Sequence, residues 1–550
     1  MKLSHLRLTH LNLQLVAWLL LAAITLFYAV EMGHQSVLRY DTFKATAFDL
    51  GNMDQSVWNT LHGRPFHVTN QGTDWYGPPT RLAMHFEPII FLVSLLYFFY
   101  ADARTLLIFQ TLALASGALP VFLLTRYYLP TLPLLAPVMA AAYLLSPALI
   151  GLNIFDFHFV SLATPLLLYA ILALTYRRYG WLILACILAA ACKEDIPFAI
   201  AMLGLLAVWK YKLPRLGTAL FVGGMLWGLL AFMVIIPHFY PGGNNYLYRY
   251  AALGSSPQEI ILNLLLHPQL IFTNFITLER FYYLTSLFRS TGFFSLLAPG
   301  WLLGALPGLA INLLSTDDKI YSGVFHYNAA IIPFVMLSAI HGLRRAIILW
   351  QRWHSVTEEL IAVDMPIPLK SSTQTILMRP ITRIQSRLTS LSTHRWQSFS
   401  ERMAALARHI PLSYLQWVIS TWIIAMITLN YLIMTPLFNI FWATHLPGNR
   451  EQHIQQLLDM IPPDAPVSAS GNINPHLTKR RYVTMFPQLS VSTTERNSNI
   501  QVQYVIVDLK NIFPEDKVGT AEVLNYLINS EQFRILARAE GVILLIRQHP

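Results

Sequence analysis

Apolar residues in this chain gather into runs, and the runs are separated by short polar breaks. They cover 15–30, 88–100, 105–124, 132–149, 159–176, 181–209, 217–237, 260–278, 292–314, 329–343 and 415–434. About 20 apolar residues suffice for one helix to cross a bilayer. Strict alternation is missing, so the pattern predicts helices and argues against a barrel. The expected fold class is a multi-span α-helical membrane protein of about 11 spanning or re-entrant helices. The first run follows Lys2 and Arg7, and Phe27, Tyr28 and Glu31 stand where a cleavage site would need small residues. It reads as an uncleaved span with a cytoplasmic N-terminus.

The polar breaks assign sides, because Lys and Arg favour the cytoplasm. Arg177 and Arg178, then Lys210, Lys212 and Arg215, then Arg344 and Arg345 read as inside. The stretches 31–87, 238–259 and 315–326 read as outside. The segment 344–414 carries Arg352, Lys370, Arg379, Arg383, Arg387, Arg395, Arg402 and Arg408 and reads as a cytoplasmic, membrane-skimming loop. One region conflicts with simple counting. Glu87 outside and Arg126 inside need an odd number of crossings, yet 88–100 and 105–124 look like two; a broken or re-entrant pair resolves this.

Beyond Met434 the pattern changes to short strands at "VSAS", "YVTMF", "YVIVDL", "FRILARA" and "VILLIR", with a helix at "TAEVLNYLIN" and a turn at "AEG". The expected organisation is a polytopic membrane domain, 1–434, and an extracytoplasmic α/β domain, 435–550. Composition agrees: 55% of the 550 residues are hydrophobic and 12% charged, about half the charge of a soluble chain. The net charge of +10 fits cytoplasmic loops and anionic lipid, and no nucleic-acid module is visible. Cys186 and Cys192 both lie in an apolar run and read as packing residues.

Chemistry concentrates in the breaks read as outside. "FDLGNMDQSVWNTLHGRPF" (48–66) offers Asp49 as the lead carboxylate. On a helix, Trp58 shares a face with Asp54 and Gln55, and Gly63 and Pro65 end it. The rival reading is an interfacial helix anchored by Trp58. "MHFEP" sets His85 and Glu87 at a membrane boundary, either as a helix start or as pocket lining. "NIFDFHF" places Asp156 and His158 on the side of Asp49. "ACKEDIP" interrupts nearly thirty apolar residues with Lys193, Glu194 and Asp195. Its arms of about 14 residues span about 21 Å, less than the ~30 Å hydrocarbon core, so the apex should sink into a protein-lined cavity. Intramembrane charges are usually functional; the structural alternative is a self-neutralised loop. "YSGVFHYN" brings His326 and Tyr327 to an outer mouth, and "YPGGNNYLYRY" adds tyrosines and Arg249.

The strings "FDLGNMDQSVWNTLHGRPF", "HFEPIIFLVSLLY", "FDFHFV", "CKEDIPFAIAMLGL" and "HYNAAIIPF", in this order, resemble the membrane family called domain of unknown function 2079. "IPPDAPVSASGNINPHLTKRRYVTMFP" and "YVIVDL" resemble its extracytoplasmic tail. That family is similar in layout to GT-C glycosyltransferases, which transfer sugars from polyprenyl-phosphate carriers outside the membrane. The resemblance implies Asp49 as the loop acid, Asp156 as a second acid and Lys193 near the carrier phosphate. Glu87 and the extra Glu194–Asp195 pair depart from the pattern.

The expected function is therefore GT-C-type transfer of a sugar from a polyprenyl-phosphate donor to an acceptor at the outer face of the plasma membrane. Asp49 and Asp156 are the catalytic candidates. Lys193, Glu194, Asp195, His85, Glu87, His158, Gln55, Trp58, His326 and Tyr327 are the binding candidates. A divalent metal on Asp49 and Asp156 is left open as a cofactor, without a spacing signature to call for it. Membrane lipid is the expected partner. The alternatives are a transporter or lipid flippase with Lys193, Glu194 and Asp195 as a relay, and a non-catalytic membrane scaffold.

Overall fold

The structure is a computed structural model that describes residues 2–70, 78–241, 246–354, 412–439, 441–492, 499–512 and 517–548. Most of the basic segment 344–414 lies outside the described residues. Helix α1 (Lys2–Asp41) is longer than its apolar run and ends in the sequence Arg39-Tyr40-Asp41. A π-turn (Ala47–Gly51) and α2 (Asn52–Leu61) follow, and α2 stops at His62 and the positive-φ Gly63.

The run 88–100 forms no crossing. It yields only α3 (Ile90–Ser94) and a 3₁₀ turn. Its first residues meet the 191–195 loop, through Ile89 N–H donating to the Ala191 carbonyl at 2.9 Å. Its far end is Asp102, the N-cap of α4 (Ala103–Ser116), and Arg104 beside it pairs with Asp41 at 2.7 Å. Both ends thus sit at the α1 C-terminal end of the bundle, as a re-entrant segment requires. The helix here that is long and apolar enough to cross a membrane is α4 continued by α5 (Ala118–Tyr128).

The chain returns through α6 (Leu135–Leu144) and α7 (Pro147–Ile154), bent by 45° at the break before Pro147. It continues as α8 (Ala163–Thr175), α9 (Tyr179–Ala190), α10 (Ile196–Trp209), α11 (Pro214–Leu230) and α12 (Ile236–Phe239). The run 181–209 is therefore a hairpin whose apex carries Lys193, Glu194 and Asp195. The run 260–278 is not one helix. His267-Pro268 splits it into α13 (Pro257–Leu266) and α14 (Gln269–Asn274), since proline lacks the amide that continuation needs. The next helices are α15 (Leu278–Arg289), α16 (Leu306–Leu313), α17 (Ile332–His354) and α18 (Leu412–Phe438). Among the described residues five helices are long and apolar enough to cross a membrane, with the bent pair as a sixth; other apolar helices are shorter.

The C-terminal region holds α19 (Asn449–Asp459), β1 (Val467–Ala469), β2 (Val483–Met485), β3 (Ser490–Ser492), β4 (Asn499–Gln501), β5 (Tyr504–Asp508), α20 (Lys517–Asn529), β6 (Phe533–Ala539) and β7 (Val542–Arg547). The five-stranded sheet runs β2-β1-β5-β7-β6, parallel from β2 to β5 and antiparallel beyond, and β3 pairs with β4 separately. The "AEG" turn closes the β6–β7 hairpin on two positive-φ residues, Glu540 and Gly541.

This region sits on the α1 C-terminal end of the bundle. Phe43 inserts into its core among Ile454, Val467 and Val483. The His476 ring stacks on Tyr40 and Phe43 at 4.1 and 4.0 Å. Ala47 N–H donates to the Gly471 carbonyl at 2.8 Å, and the Asn474 amide donates to Asn70 at 2.7 Å. The sheet region therefore holds the turn that carries Asp49.

Candidate active site

Asp49 lies on the π-turn after α1, where the chain leaves the bundle and is caught by the C-terminal region. His158 Nε2 stands 3.0 Å from Asp49 Oδ1, and the Thr46 hydroxyl lies 2.8 Å from Oδ2. The same hydroxyl lies 3.1 Å from Asp156 Oδ2, and Thr46 N–H donates to that oxygen at 2.9 Å. One hydroxyl proton thus faces two carboxylates. Arg39, in the last turn of α1, reaches Asp156 Oδ1 with Nε at 3.1 Å. Burial pushes the Asp49 carboxyl up, but the hydrogen bond and charge of His158, the Thr46 hydroxyl and Arg39 outweigh it and hold it below its ordinary value.

The His158 ring stacks on His326 with centroids 3.9 Å apart, and His326 abuts Tyr327. His326 lies within range of the charges of Lys193 and His85, and Tyr327 within range of both Asp49 and Lys193. The sequence-predicted residues of five separate breaks therefore gather at one end of the bundle.

Exposure divides them. The side chains of Asp49, His85 and Lys193 are 20%, 19% and 17% exposed, whereas those of Asp156, Glu87 and Glu194 are 1%, 4% and 4% exposed. The buried acids are fully engaged. Asp156 is gripped by Arg39 and Thr46. Glu87 pairs with Arg81. Glu194 accepts from His85 Nδ1 at 2.8 Å and from Phe86 N–H at 3.0 Å. Lys193 lies 3.8 Å from Asp195, so the apex is partly self-neutralised, as its structural alternative supposed.

Two candidates fall outside this cluster. The Gln55 side chain is fully buried and bonds Thr69, Asn70 N–H and the Arg480 and Arg481 carbonyls, tying the loop to the C-terminal region. Trp58 packs against His62 and Arg64. Among the described residues no group of three or more His, Cys, Asp or Glu is gathered as for a metal, and Asp156 already gives its oxygens to Arg39 and Thr46. The residues present do not fit a metal on Asp49 and Asp156.

Sequence reasoning passed over Arg39, Thr46 and Tyr246. Arg39 was legible as a cation in a helix's last turn. Tyr246, whose ring stacks against His85 with centroids 5.4 Å apart, sat in a loop noted for its tyrosines together and for Arg249. Nothing local marks Thr46.

The family model described as "Predicted membrane protein (DUF2079)" matches residues 39–414 and 388–544. The chain belongs to this family. Among curated proteins nothing matches. Among solved structures, the DUF2079 chain is similar in overall layout to ArnT from Cupriavidus metallidurans in the apo state, with a TM-score of 0.45 and 12% identity over 99% of this chain and 98% of that one. The same protein bound to undecaprenyl phosphate gives 0.43 and 11%, over 95% and 97%. The Archaeoglobus fulgidus oligosaccharyltransferase in the apo form gives 0.43 and 12%, over 94% and 71%.

Proposed function

We propose that this chain is a membrane glycosyltransferase that moves a sugar from a polyprenyl-phosphate carrier to an acceptor hydroxyl at the extracytoplasmic face. The observation that carries the reading is the exposure pattern. Asp49 and the Lys193–Asp195 pair stay accessible at one end of the bundle, and Asp49 is the accessible carboxylate there with no lysine or arginine among the described residues bound to it, while Asp156, Glu87 and Glu194 are buried and engaged. The resemblance of the sequence motifs supplies the carrier class.

In this reading the acceptor oxygen attacks the anomeric carbon, and its bond to the carrier phosphate oxygen breaks with inversion. Asp49 takes the acceptor's proton as general base. His158 and Thr46 orient the carboxylate, and Arg39 with Asp156 fixes Thr46. Lys193 balances the charge that develops on the leaving phosphate. Asp156 is then a positioning residue. In this reading the C-terminal region lies on the extracytoplasmic side and braces the Asp49 turn.

The test is purified protein with a panel of polyprenyl-phosphate sugars and acceptors, following loss of lipid-linked sugar. Wild type should turn over at least one carrier, and Lys193→Met should lower that rate while Trp58→Phe leaves it intact. A wild type inert to every carrier, or a Lys193→Met variant at full rate, contradicts the proposal.

A further inference from the structure

Between α5, α8 and α9 a groove runs along the bundle and reaches, at Tyr176 and Arg178, the end opposite Asp49. Its volume is about 560 Å³, within the ~300–1,000 Å³ of small-molecule sites. Its walls are Leu123 of α5, Leu166 and Leu172 of α8, and Leu184 and Leu188 of α9. From Leu166 to Tyr176 the wall runs ten residues, about 15 Å of helix. Ala173 and Ala185 form a floor of small residues.

The polar end of the groove carries one sign of charge. Arg178 closes it, beside Trp181 and Tyr176, which are 70% and 45% exposed. Arg177 precedes Arg178, and the ring of Tyr127, next to Arg126, meets that of Tyr176 at 5.1 Å. The sequence holds no Asp or Glu from 103 to 155 or from 157 to 193. Among the described residues the Arg177 and Arg178 guanidinium groups make no ion pair. The twelve-residue helix α9 also begins here, with Arg178 at its N-cap position and no side chain capping it. Above Gly180 the space is open. Helix N-terminal amides and arginines both favour an anion.

We propose that this groove binds one anionic membrane phospholipid, with a hydrocarbon chain lying between α8 and α9 and the phosphate on Arg178. Charge complementarity selects this occupant. A neutral hydrocarbon would fill the walls but leave the charge of Arg178 unmatched. The chain face is apolar along two to three turns of helix and meets the bilayer directly.

The experiment uses the full chain in nanodiscs of phosphatidylcholine doped with photoactivatable phosphatidylglycerol. Cross-links should concentrate between residues 166 and 188, and unlabelled phosphatidylglycerol should compete while phosphatidylcholine does not. Arg178→Gln removes a charge-assisted contact and should cut labelling by about tenfold, and Arg178→Lys should restore most of it. Ala185→Trp fills the floor and should abolish it. Equal labelling of wild type and Arg178→Gln, or labelling spread evenly over α11 and α18, overturns the site. If Ala185→Trp does not fold, the glutamine and lysine pair still decides.

Discussion

Asp54 should weaken the folded state at neutral pH, and replacing it with asparagine should strengthen it. The side chain sits in α2, 1% exposed, at the junction with the C-terminal region, where the hydroxyls of Thr478 and Tyr97 both donate to it. Burial raises its pKa from 3.8 to about 6 against the pull of those two donors and Lys479. A folded pKa above the unfolded one means that the folded state holds the proton more tightly. Stability from this group is therefore full below about pH 4 and lost as pH rises to about 6. Two units at 1.36 kcal/mol each give about 3 kcal/mol. Asp54→Asn mimics the protonated form, since its oxygen accepts one hydroxyl and its amide faces the other. At pH 7.5 the variant should be more stable than wild type by up to about 3 kcal/mol, and the gain should vanish by about pH 4. The assay is detergent-solubilised unfolding combined with tryptic release of the C-terminal region, read as variant minus wild type so that other titrating groups cancel. A variant less stable than wild type at pH 7.5, or a difference that does not change with pH, refutes the reasoning.

Other expectations follow from the same geometry. Glu194→Gln removes the charge that His85 and Phe86 N–H engage and should cost about 2–4 kcal/mol; unchanged melting with a changed ion flux would favour a relay instead. His158→Gln deprives Asp49 of its strongest counterweight to burial, so the acid limb of the pH–rate profile should move to higher pH, and an unmoved limb contradicts the pairing. Gly51→Ala would place a Cβ 2.6 Å from Asn70 Nδ2 and 2.8 Å from Asn474 Oδ1; the overpacking should cost about 1–3 kcal/mol in a melting experiment.

The helices were legible because a bilayer demands long apolar runs, and the broken helix of 88–100 was anticipated because two full crossings there would conflict with the sides expected for Glu87 and Arg126. The five strands of the larger sheet could be read from their short β-branched segments, whereas the β3–β4 pair, three residues to a strand, was missed. The split at Pro268 was written in the chain, yet hydropathy alone joined its two sides. The site was legible in part. Asp49, His158, Lys193 and His326 drew notice because polar residues are costly between apolar runs, and they do meet. Their division into accessible and clamped groups was not legible. It depends on Arg39 and Thr46, which reach Asp156 across the fold, and on Arg81, which turns back onto Glu87 six residues along the chain. Gln55 looked like a site residue because it lies in a polar cluster after an apolar run; its amide instead bonds the backbone of the C-terminal region.

The central claim is that Asp49 accepts the acceptor's proton. Its most direct test is the turnover of a lipid-linked sugar by wild type and Asp49→Asn, with carrier binding measured on both. The amide keeps the shape and still accepts from Thr46, but it cannot take a proton. The account predicts a rate lower by about 10²–10⁴-fold with carrier affinity within about threefold of wild type. Equal turnover by Asp49→Asn would contradict it.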